Sequence, residues 1–321
     1  VTGGAGYVGY HVVRQLIEKG YQVTVLDNLA FGRDSLGGFS NNPSFELIQG
    51  DIRHVEDLVT AMKGAQGVIH LAAIVGDSAC ELNPEATRTV NYEATKVLME
   101  ICKYYGVERL VFASTCSVYG AGSNIILNEG SLLNPVSLYA ETRVQSEKVV
   151  LNTRGNTTTP VVLRLATIYG LSRRMRFDLV VNILTAKATM EHKIKIYGGK
   201  QWRPIVHVED AARAFVLSLE ASREKVDHET FNVGSNGQNY RISELGQLIQ
   251  EYISGSEAEY MPEEEDERDY RVSFDKITHI LGFQSRRTLR DGVLEIKKAL
   301  TEGVIRDFKE SKYYNINYRY K

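Results

Sequence analysis

Short runs of apolar and β-branched residues alternate with longer stretches of helical apolar spacing through the first half of the chain. The short runs predict strands, and the amphipathic stretches predict helices. Predicted strands cover residues 21–27, 45–50, 67–73, 109–114 and 161–166, and predicted helices cover residues 7–19, 54–63, 84–105 and 138–153. Alternation at this spacing predicts an α/β fold in which helices cover both faces of a parallel sheet.

The regular alternation of predicted strands and helices ends near residue 170. Beyond it, the short strand-like segments KIKIYG, ETFNVG and AEYM mix with helices predicted at 176–191, 208–221, 241–254 and 288–302. This change predicts a first domain over residues 1–170 and a smaller mixed α/β lobe over residues 171–321, threaded back and forth with the first. At the other end, Val1 and Thr2 resemble the last residues of a strand, so we expect the natural chain to have residues before them.

Composition and net charge restrict the kinds of molecule that we expect the protein to bind. The 321 residues carry a net charge of −2, which gives no bulk basic field for nucleic acid or an anionic membrane. No segment approaches the roughly 20 apolar residues that a membrane span needs, so we expect neither nucleic acid nor membrane as a partner. Cys80, Cys102 and Cys116 are an odd number of cysteines without metal-ligand spacing. They predict free thiols in a cytoplasmic protein, with no disulfide and no metal site.

A glycine-rich segment opens the first predicted helix. Gly3, Gly6 and Gly9 form a G-x-x-G-x-x-G pattern at a strand-to-helix junction. Glycines there allow the backbone to approach a pyrophosphate, and the helix N-terminus offers free N–H groups. The next strand ends at Asp27, whose carboxylate would accept hydrogen bonds from ribose hydroxyls and repel a 2′-phosphate. The combination predicts NAD as the cofactor; the alternative is a plain glycine-rich turn.

The stretch SLYAETRVQSEK, residues 137–148, places a tyrosine four residues before an arginine on a predicted helix. A free tyrosine has a pKa near 10 and is a weak base at neutral pH, whereas a cation one helical turn away favours the phenolate. Tyr139 and Arg143 are therefore a candidate base and cation for removing a hydroxyl proton. Without other motifs, a packed tyrosine beside a surface arginine would be the better interpretation.

Many short motifs run through nearly the whole chain. They are TGGAGYVG, DNLAFG, GDI, HLAA, VNYEAT, FASTCSVYG, the tyrosine and arginine above, RLATIYG, RPIVHVEDAARAF, FNVG and RDYRVS. In this order they resemble the extended short-chain dehydrogenase/reductase family, in its nucleotide-sugar epimerase/dehydratase group. The resemblance implies a Rossmann-type, doubly wound domain that binds NAD and a C-terminal lobe that binds a nucleoside-diphosphate sugar. Arg143 stands where the family usually has lysine, and its planar fork differs from a compact ammonium.

The resemblance also implies roles for individual residues. Thr115 would hydrogen-bond the reacting sugar oxygen, and Ser114 would face the cofactor. Tyr139 would contact both sugar and cofactor, and Arg143 would donate to the nicotinamide ribose. Besides the three glycines and Asp27, the cofactor would be bound by Tyr7, Val8, Asn28, Asp51, Ile52, Leu71, Ala72, Ala73 and Asn91.

Cations for the diphosphate of the sugar nucleotide lie in the second half of the chain. The resemblance implies that Arg203 and Arg268 clamp the diphosphate and that the amide of Asn182 reaches it. Arginine's planar fork suits bidentate phosphate contacts. A second basic cluster, at Arg173, Arg174 and Arg176, has three interpretations: it binds a phosphate, it binds an acidic sugar, or it stays solvated.

The two residues after Thr115 restrict the chemistry. Family dehydratases have Asp and Glu there, and family decarboxylases usually have Glu at the second place, but this chain has Cys116 and Ser117. Neither is a carboxylic acid, so we expect no loss of water or CO₂. The remaining reaction is oxidation or epimerisation at C4 of the sugar. The alternatives are a dehydratase or decarboxylase with displaced acid–base residues, and a dinucleotide-binding regulatory protein without turnover.

The same resemblance implies a homodimer. The family's usual pairing surface consists of the helices that correspond to residues 84–105 and 138–153. Two such helices from each subunit would form a four-helix interface.

Overall fold

The computed structural model describes residues 1–152, 158–262 and 268–317. The strands are β1 Val23–Asp27, β2 Phe45–Gln49, β3 Gly67–His70, β4 Arg109–Thr115, β5 Ala121–Leu127, β6 Thr159–Leu165, β7 Thr167–Tyr169, β8 Lys193–Tyr197, β9 Trp202–His207, β10 Glu229–Val233, β11 Asn239–Arg241, β12 Glu257–Met261 and β13 Asp269–Val272. The helices are α1 Gly9–Glu18, α2 Val55–Met62, α3 Asp77–Leu82, α4 Pro84–Arg88, α5 Ala94–Tyr104, α6 Leu138–Leu151, α7 Val180–Met190, α8 Val208–Glu220, α9 Arg223–Val226, α10 Ile242–Tyr252, α11 Asp275–Leu281 and α12 Leu289–Thr301.

The main sheet is parallel throughout and is built around the first residues of the chain. Thr2 bridges Leu26 of β1 on one side and His70 of β3 on the other. The order across the sheet is therefore β2, β1, Thr2, β3, β4, β6, β10. The strand order reverses direction at Thr2, which is the position where open α/β sheets bind ligands. The predicted doubly wound α/β fold is confirmed.

Helices cover both faces of this sheet because its strands carry apolar residues in succession. Val25 and Val111 pack into the core closed by α1 and α8, whereas their chain neighbours Leu26 and Leu110 pack into the core closed by α2, α5 and α6. Consecutive strand residues point to opposite faces, so continuous apolar runs are what a sheet buried on both sides requires. In the described part of the chain, no helix is long and apolar enough to cross a membrane.

The C-terminal half forms a separate group of small sheets and helices, and it also adds a strand to the main sheet. β7, β9 and β11 form a small sheet, β8 pairs with β12, and α7, α10 and α12 pack around a separate apolar core. However, β10 pairs in parallel with β6, so it extends the main sheet. The domain boundary near residue 170 and the interleaving of the two lobes stay predictions.

The helix predicted over residues 84–105 is interrupted. A π-helical turn, Thr89–Glu93, lies between α4 and α5. Such turns insert one residue into the helical repeat and occur often at functional sites. Here the turn contains Asn91, which is fully buried and takes part in the site described next.

Candidate active site

A cavity of about 570 Å³ opens at the carboxyl ends of the main-sheet strands. Its size is in the range of small-molecule and cofactor sites. Most of the predicted site residues line it together: Gly3, Gly6, Tyr7, Val8, Gly9, Asp27, Asn28, Asp51, Ile52, Leu71, Ala72, Ala73, Ser114, Thr115, Tyr139, Arg143 and Arg268. Three predicted residues, Asn91, Asn182 and Arg203, lie outside this lining.

The glycine loop has the geometry of a phosphate cradle. Gly3 has a φ of +73°, and a Cβ there would lie 2.7 Å from the backbone nitrogen of Ala72. A Cβ on Gly9 would lie 2.2 Å from the carbonyl oxygen of Gly3. Side chains are therefore excluded where the loop turns into α1, and the backbone at the helix N-terminus stays open to the cavity. These residues fit the pyrophosphate of a dinucleotide.

Asp27 closes the loop and faces the same cavity. Its carboxylate accepts hydrogen bonds from the backbone N–H of Ala5 at 2.9 Å and of Leu29 at 2.8 Å. Burial raises the pKa of Asp27 above its usual value, and these two N–H donors oppose that rise. The carboxylate is thus fixed at the end of β1, where it can also accept hydrogen bonds from ribose hydroxyls.

Asn91 makes internal hydrogen bonds in the structure, and its expected contact with the cofactor stays a prediction. Its amide accepts from the backbone N–H of Ile74 at 2.8 Å and donates to the carbonyl of the same residue at 2.9 Å. Asn91 is fully buried behind the loop that follows β3. It therefore holds this cavity-lining loop in place, which is an indirect role.

Tyr139 and Arg143 lie one turn apart on α6, as the sequence predicts, and both line the cavity. The guanidinium carbon of Arg143 lies 5.4 Å from the ring centroid of Tyr139 and 5.5 Å from that of Phe112. Arg143 is 3% exposed, and its Nε has no hydrogen-bond partner. The cation is thus held between two aromatic rings at the base of the cavity.

The expected direction of the Tyr139 pKa needs correction. Burial raises the pKa of the Tyr139 phenol above its ordinary value, although Arg143 and, more weakly, Arg176 lower it. Burial destabilises the charged phenolate more than the arginines of the chain stabilise it. The protein's own cations therefore offset only part of the pKa rise.

Thr115 ends β4 at the cavity wall. Its hydroxyl lies 3.1 Å from the hydroxyl of Ser117, which also lines the cavity and lies 3.4 Å from the hydroxyl of Tyr270. Cys116 points the other way: it is fully buried, its thiol contacts the carbonyl of Arg164, and burial raises its pKa. The hydroxyl pair faces the site, while the thiol is unsuited to act as a nucleophile.

Sequence reasoning missed a buried ion pair directly beneath the site. Glu147 and Arg164 are joined at 2.7 Å, and their side chains are 3% and 6% exposed. Ser114, expected to face the cofactor, donates its hydroxyl to Glu147 at 2.5 Å. Glu147 follows Arg143 by four residues, as Arg143 follows Tyr139, so one helix face carries all three. The four-residue spacing was the sequence signal that could have found Glu147, but no neighbouring residue indicated that its side chain is buried.

The predicted diphosphate clamp is only partly assembled around the cavity. Arg268 lines it and pairs with Asp77 at 2.7 Å. Arg203 packs 5.7 Å from the Tyr270 ring centroid and donates to the carbonyls of Trp202 and Arg268. Arg203 therefore contacts the backbone of Arg268, and its expected contact with the diphosphate stays a prediction.

Asn182 makes internal contacts in the structure, and its expected contact with the diphosphate stays a prediction. Its amide donates to the hydroxyl of Tyr7 at 3.0 Å and to the carbonyl of Arg176 at 2.9 Å, and it accepts from the N–H of Gly170 at 3.0 Å. All three contacts are internal, and the side chain is fully buried. Asn182 therefore holds the segment after β7 against the glycine loop.

That segment supplies cavity residues of opposite charge. Arg176 and Asp178 form a two-point ion pair, with nitrogen–oxygen distances of 2.9 and 3.1 Å. Although burial raises the pKa of Asp178, Arg176 holds it below its ordinary value. Arg174 lines the cavity as well, whereas its neighbour Arg173 is exposed and lies outside the lining.

A parallel sheet with a glycine cradle, an acidic strand end and a tyrosine–cation pair defines a class: Rossmann-type dinucleotide-dependent enzymes. The sequence pattern of the NAD dependent epimerase/dehydratase family matches residues 1–234, and the chain belongs to this family. It is an NAD-dependent enzyme.

Relatives show the range of activities in this family. A UDP-glucose 4-epimerase from Corynebacterium glutamicum is 29% identical over 78% of this chain and 79% of its own length. UDP-glucuronic acid decarboxylase 4 from Arabidopsis thaliana is 29% identical over 97% of this chain and 70% of its own. The structure of UDP-glucuronic acid 4-epimerase from Bacillus cereus, in complex with UDP-glucuronic acid and NAD, superposes with a TM-score of 0.83 at 25% identity, covering 94% of this chain and 98% of that one.

We predict that NAD binds at least about tenfold more tightly than NADP, because a 2′-phosphate would lie against the Asp27 carboxylate. Calorimetric titration of both cofactors measures the ratio. Asp27→Asn should reduce this preference, whereas Asp34→Asn, at an exposed acid of the following segment, should leave it unchanged. Tighter binding of NADP by the parent protein would contradict the role assigned to Asp27.

Proposed function

We propose that the protein oxidises the C4 hydroxyl of a nucleoside-diphosphate sugar with NAD, and either returns the hydride to the opposite face or releases the 4-keto product. One observation supports this most: Thr115, Tyr139 and Arg143 line the same cavity as the glycine cradle. A base and a hydroxyl donor beside a nicotinamide site are what carbinol oxidation needs.

In the proposed mechanism, Tyr139 takes the proton of the C4 hydroxyl while Thr115 orients that oxygen. NAD, held by the glycine loop and Asp27, would supply the hydride acceptor and the positive charge of its oxidised ring. Arg143 stabilises the phenolate from the base of the cavity, where the rings of Phe112 and Tyr139 hold its guanidinium. In the same proposal Arg268 binds the substrate diphosphate, and its backbone carbonyl accepts a hydrogen bond from Arg203.

The charges at the cavity favour this chemistry over dehydration or decarboxylation. Ser117 supplies a hydroxyl, and Cys116 is buried away from the cavity. Two carboxylates that line the cavity, Asp77 and Asp178, each pair with an arginine. Asp178 also has a lowered pKa, so it is a poor proton donor at neutral pH.

The test of the proposed function is a substrate panel. UDP-, GDP-, CDP- and dTDP-sugars are incubated with the enzyme and NAD, and products are analysed by mass spectrometry and NMR. We expect a C4 epimer or a 4-keto sugar that keeps its full set of carbons and oxygens. A 4-keto-6-deoxy sugar or a pentose product would overturn the proposal. Tight NAD binding without turnover of any sugar would favour the regulatory alternative.

Variants on α6 test the roles of Tyr139 and Arg143. Tyr139→Phe should nearly abolish turnover and leave NAD bound. Arg143→Met should slow turnover by about a hundredfold or more, because it removes the charge that favours phenolate. Without that cation the pKa of Tyr139 rises further, so the rising limb of the pH–rate profile should move to higher pH.

Two further substitutions serve as controls. Arg143→Lys should keep activity, since it retains a cation one turn from the phenol. Lys148→Met removes an exposed charge from the same helix and should leave the rate and its pH profile unchanged. If Arg143→Met turns over like the parent enzyme, another group must tune Tyr139.

We also propose a homodimer formed through α5 and α6. The support is the resemblance to the family, together with neighbouring helices whose outer residues, Glu100, Tyr104 and Glu141 among them, are exposed. Light scattering at micromolar concentration should give the mass of two chains. Glu100→Lys should weaken the dimer, whereas Gln247→Lys on α10 should not; a monomeric parent protein would contradict the proposal.

A cytoplasmic location is likewise proposed. Its support is that Cys80, Cys102 and Cys116 are all free and buried, as expected for a chain that folds in a reducing compartment.

A further inference from the structure

Arg174 lies beside the glycine cradle although it is more than 160 residues away in sequence. Its segment follows β7 and is fastened to the loop by two hydrogen bonds. The hydroxyl of Ser172 donates to the carbonyl of Tyr7 at 2.8 Å, and the hydroxyl of Tyr7 donates to the carbonyl of Gly170 at 2.5 Å. These bonds fix the start of the Arg174 segment against the turn that leads into α1.

The guanidinium of Arg174 is held from two further directions. Its carbon lies 3.8 Å from the ring centroid of Phe31, a cavity residue just beyond Asp27. One terminal nitrogen donates to the amide oxygen of Asn315 at 2.6 Å, and Asn315 in turn donates to the carbonyl of Val75 at 3.0 Å. The planar group therefore has a defined orientation at the cavity wall.

The charge of this group is poorly compensated. Arg174 is 7% exposed, and its Nε is buried without a hydrogen-bond partner. No carboxylate of the described residues forms an ion pair with it. Burial and, to a smaller extent, the neighbouring charge of Arg176 lower the pKa of the guanidinium to about 9, although Asp178 and Asp27 act in the opposite direction. The lowered pKa reflects a penalty for burying the charge without an ion-pair partner. An anion bound in the cavity would remove that penalty.

The other arginines of the cavity differ from Arg174. Arg176 and Arg268 already pair with Asp178 and Asp77, and Arg143 lies against the ring of Tyr139. No lysine is among the described residues that line the cavity. Arg174 is thus the cavity cation that is fastened to the glycine loop and lacks a carboxylate partner in the described chain.

We propose that Arg174 donates hydrogen bonds to the pyrophosphate of NAD, adding a full charge to the partial charge of the α1 N-terminus. Arginine's fork can bind two phosphate oxygens, and the stack on Phe31 orients it for that purpose. Asn315 acts as a positioning residue that holds the guanidinium toward the cavity. The proposal rests on the cofactor of the family and is independent of the sugar reaction.

Calorimetry of Arg174→Gln with NAD, ADP and adenosine tests this proposal. Loss of a charged hydrogen bond should weaken the binding of NAD and of ADP by a similar factor, about 10- to 100-fold, and leave the affinity for adenosine unchanged. The salt dependence of ADP binding should also become shallower. Arg173→Gln is the matched control, because it removes the same charge one residue away from an exposed side chain outside the cavity.

Unchanged affinity for NAD and ADP in Arg174→Gln would overturn the proposal. It would also be overturned if the variant lost affinity for the nucleoside diphosphate of the substrate, chosen as the one of UDP, GDP, CDP and dTDP that the parent binds. Should the Gln variant fail to fold, Arg174→Lys keeps the charge without the fork. This variant should bind NAD and ADP more weakly than the parent protein does, but it should bind adenosine equally well. If it bound NAD and ADP as tightly as the parent, the bidentate contact would be contradicted. Asn315→Ala should give a smaller loss of the same kind.

Discussion

The site depends on one close approach: the backbone of Gly3 lies directly against the backbone of Ala72 in the middle of the sheet. Thr2 bridges β1 and β3, so the chain must turn into α1 immediately after the sheet's central position. A Cβ on Gly3 would collide with the backbone of Ala72, and a Cβ on Gly9 would collide with the backbone of Gly3. The contact between Gly3 and Ala72 brings the N-terminus of α1, the end of β1 and the loop after β3 to one cavity.

Helix α6 carries two cavity residues and one partner of a buried ion pair on the same face. Tyr139 and Arg143 reach the cavity, and Glu147 lies one turn deeper, paired with Arg164 of β6. Removing one partner of such a buried pair generally costs about 3–5 kcal/mol, because the other charge is left buried. The pair therefore holds the register of α6 on the sheet. It also fixes Ser114, the neighbour of Thr115, by a hydrogen bond.

The charged residues that line the cavity differ in the partners that they have. Asp77 and Asp178, which line the cavity, each pair with an arginine. Arg143 instead faces a phenol whose pKa burial raises, so the phenolate depends on cations placed around it. Arg174 lies near the cradle and has no ion-pair partner among the described residues. A bound anion would compensate the charge of Arg174. The affinity for anionic ligands therefore depends on the charges that line the cavity.

The sequence by itself determined the α/β alternation, the glycine cradle with Asp27, and the one-turn spacing of Tyr139 and Arg143. These features are local, since periodicity, glycine positions and helical spacing act over a few residues. Tertiary structure decided which polar side chains reach the cavity. Asn91, Asn182 and Arg203 became internal supports, and Glu147 and Arg164 became a buried pair, because distant segments meet only after folding. The direction of the Tyr139 pKa was likewise settled by burial, which no local spacing of residues encodes.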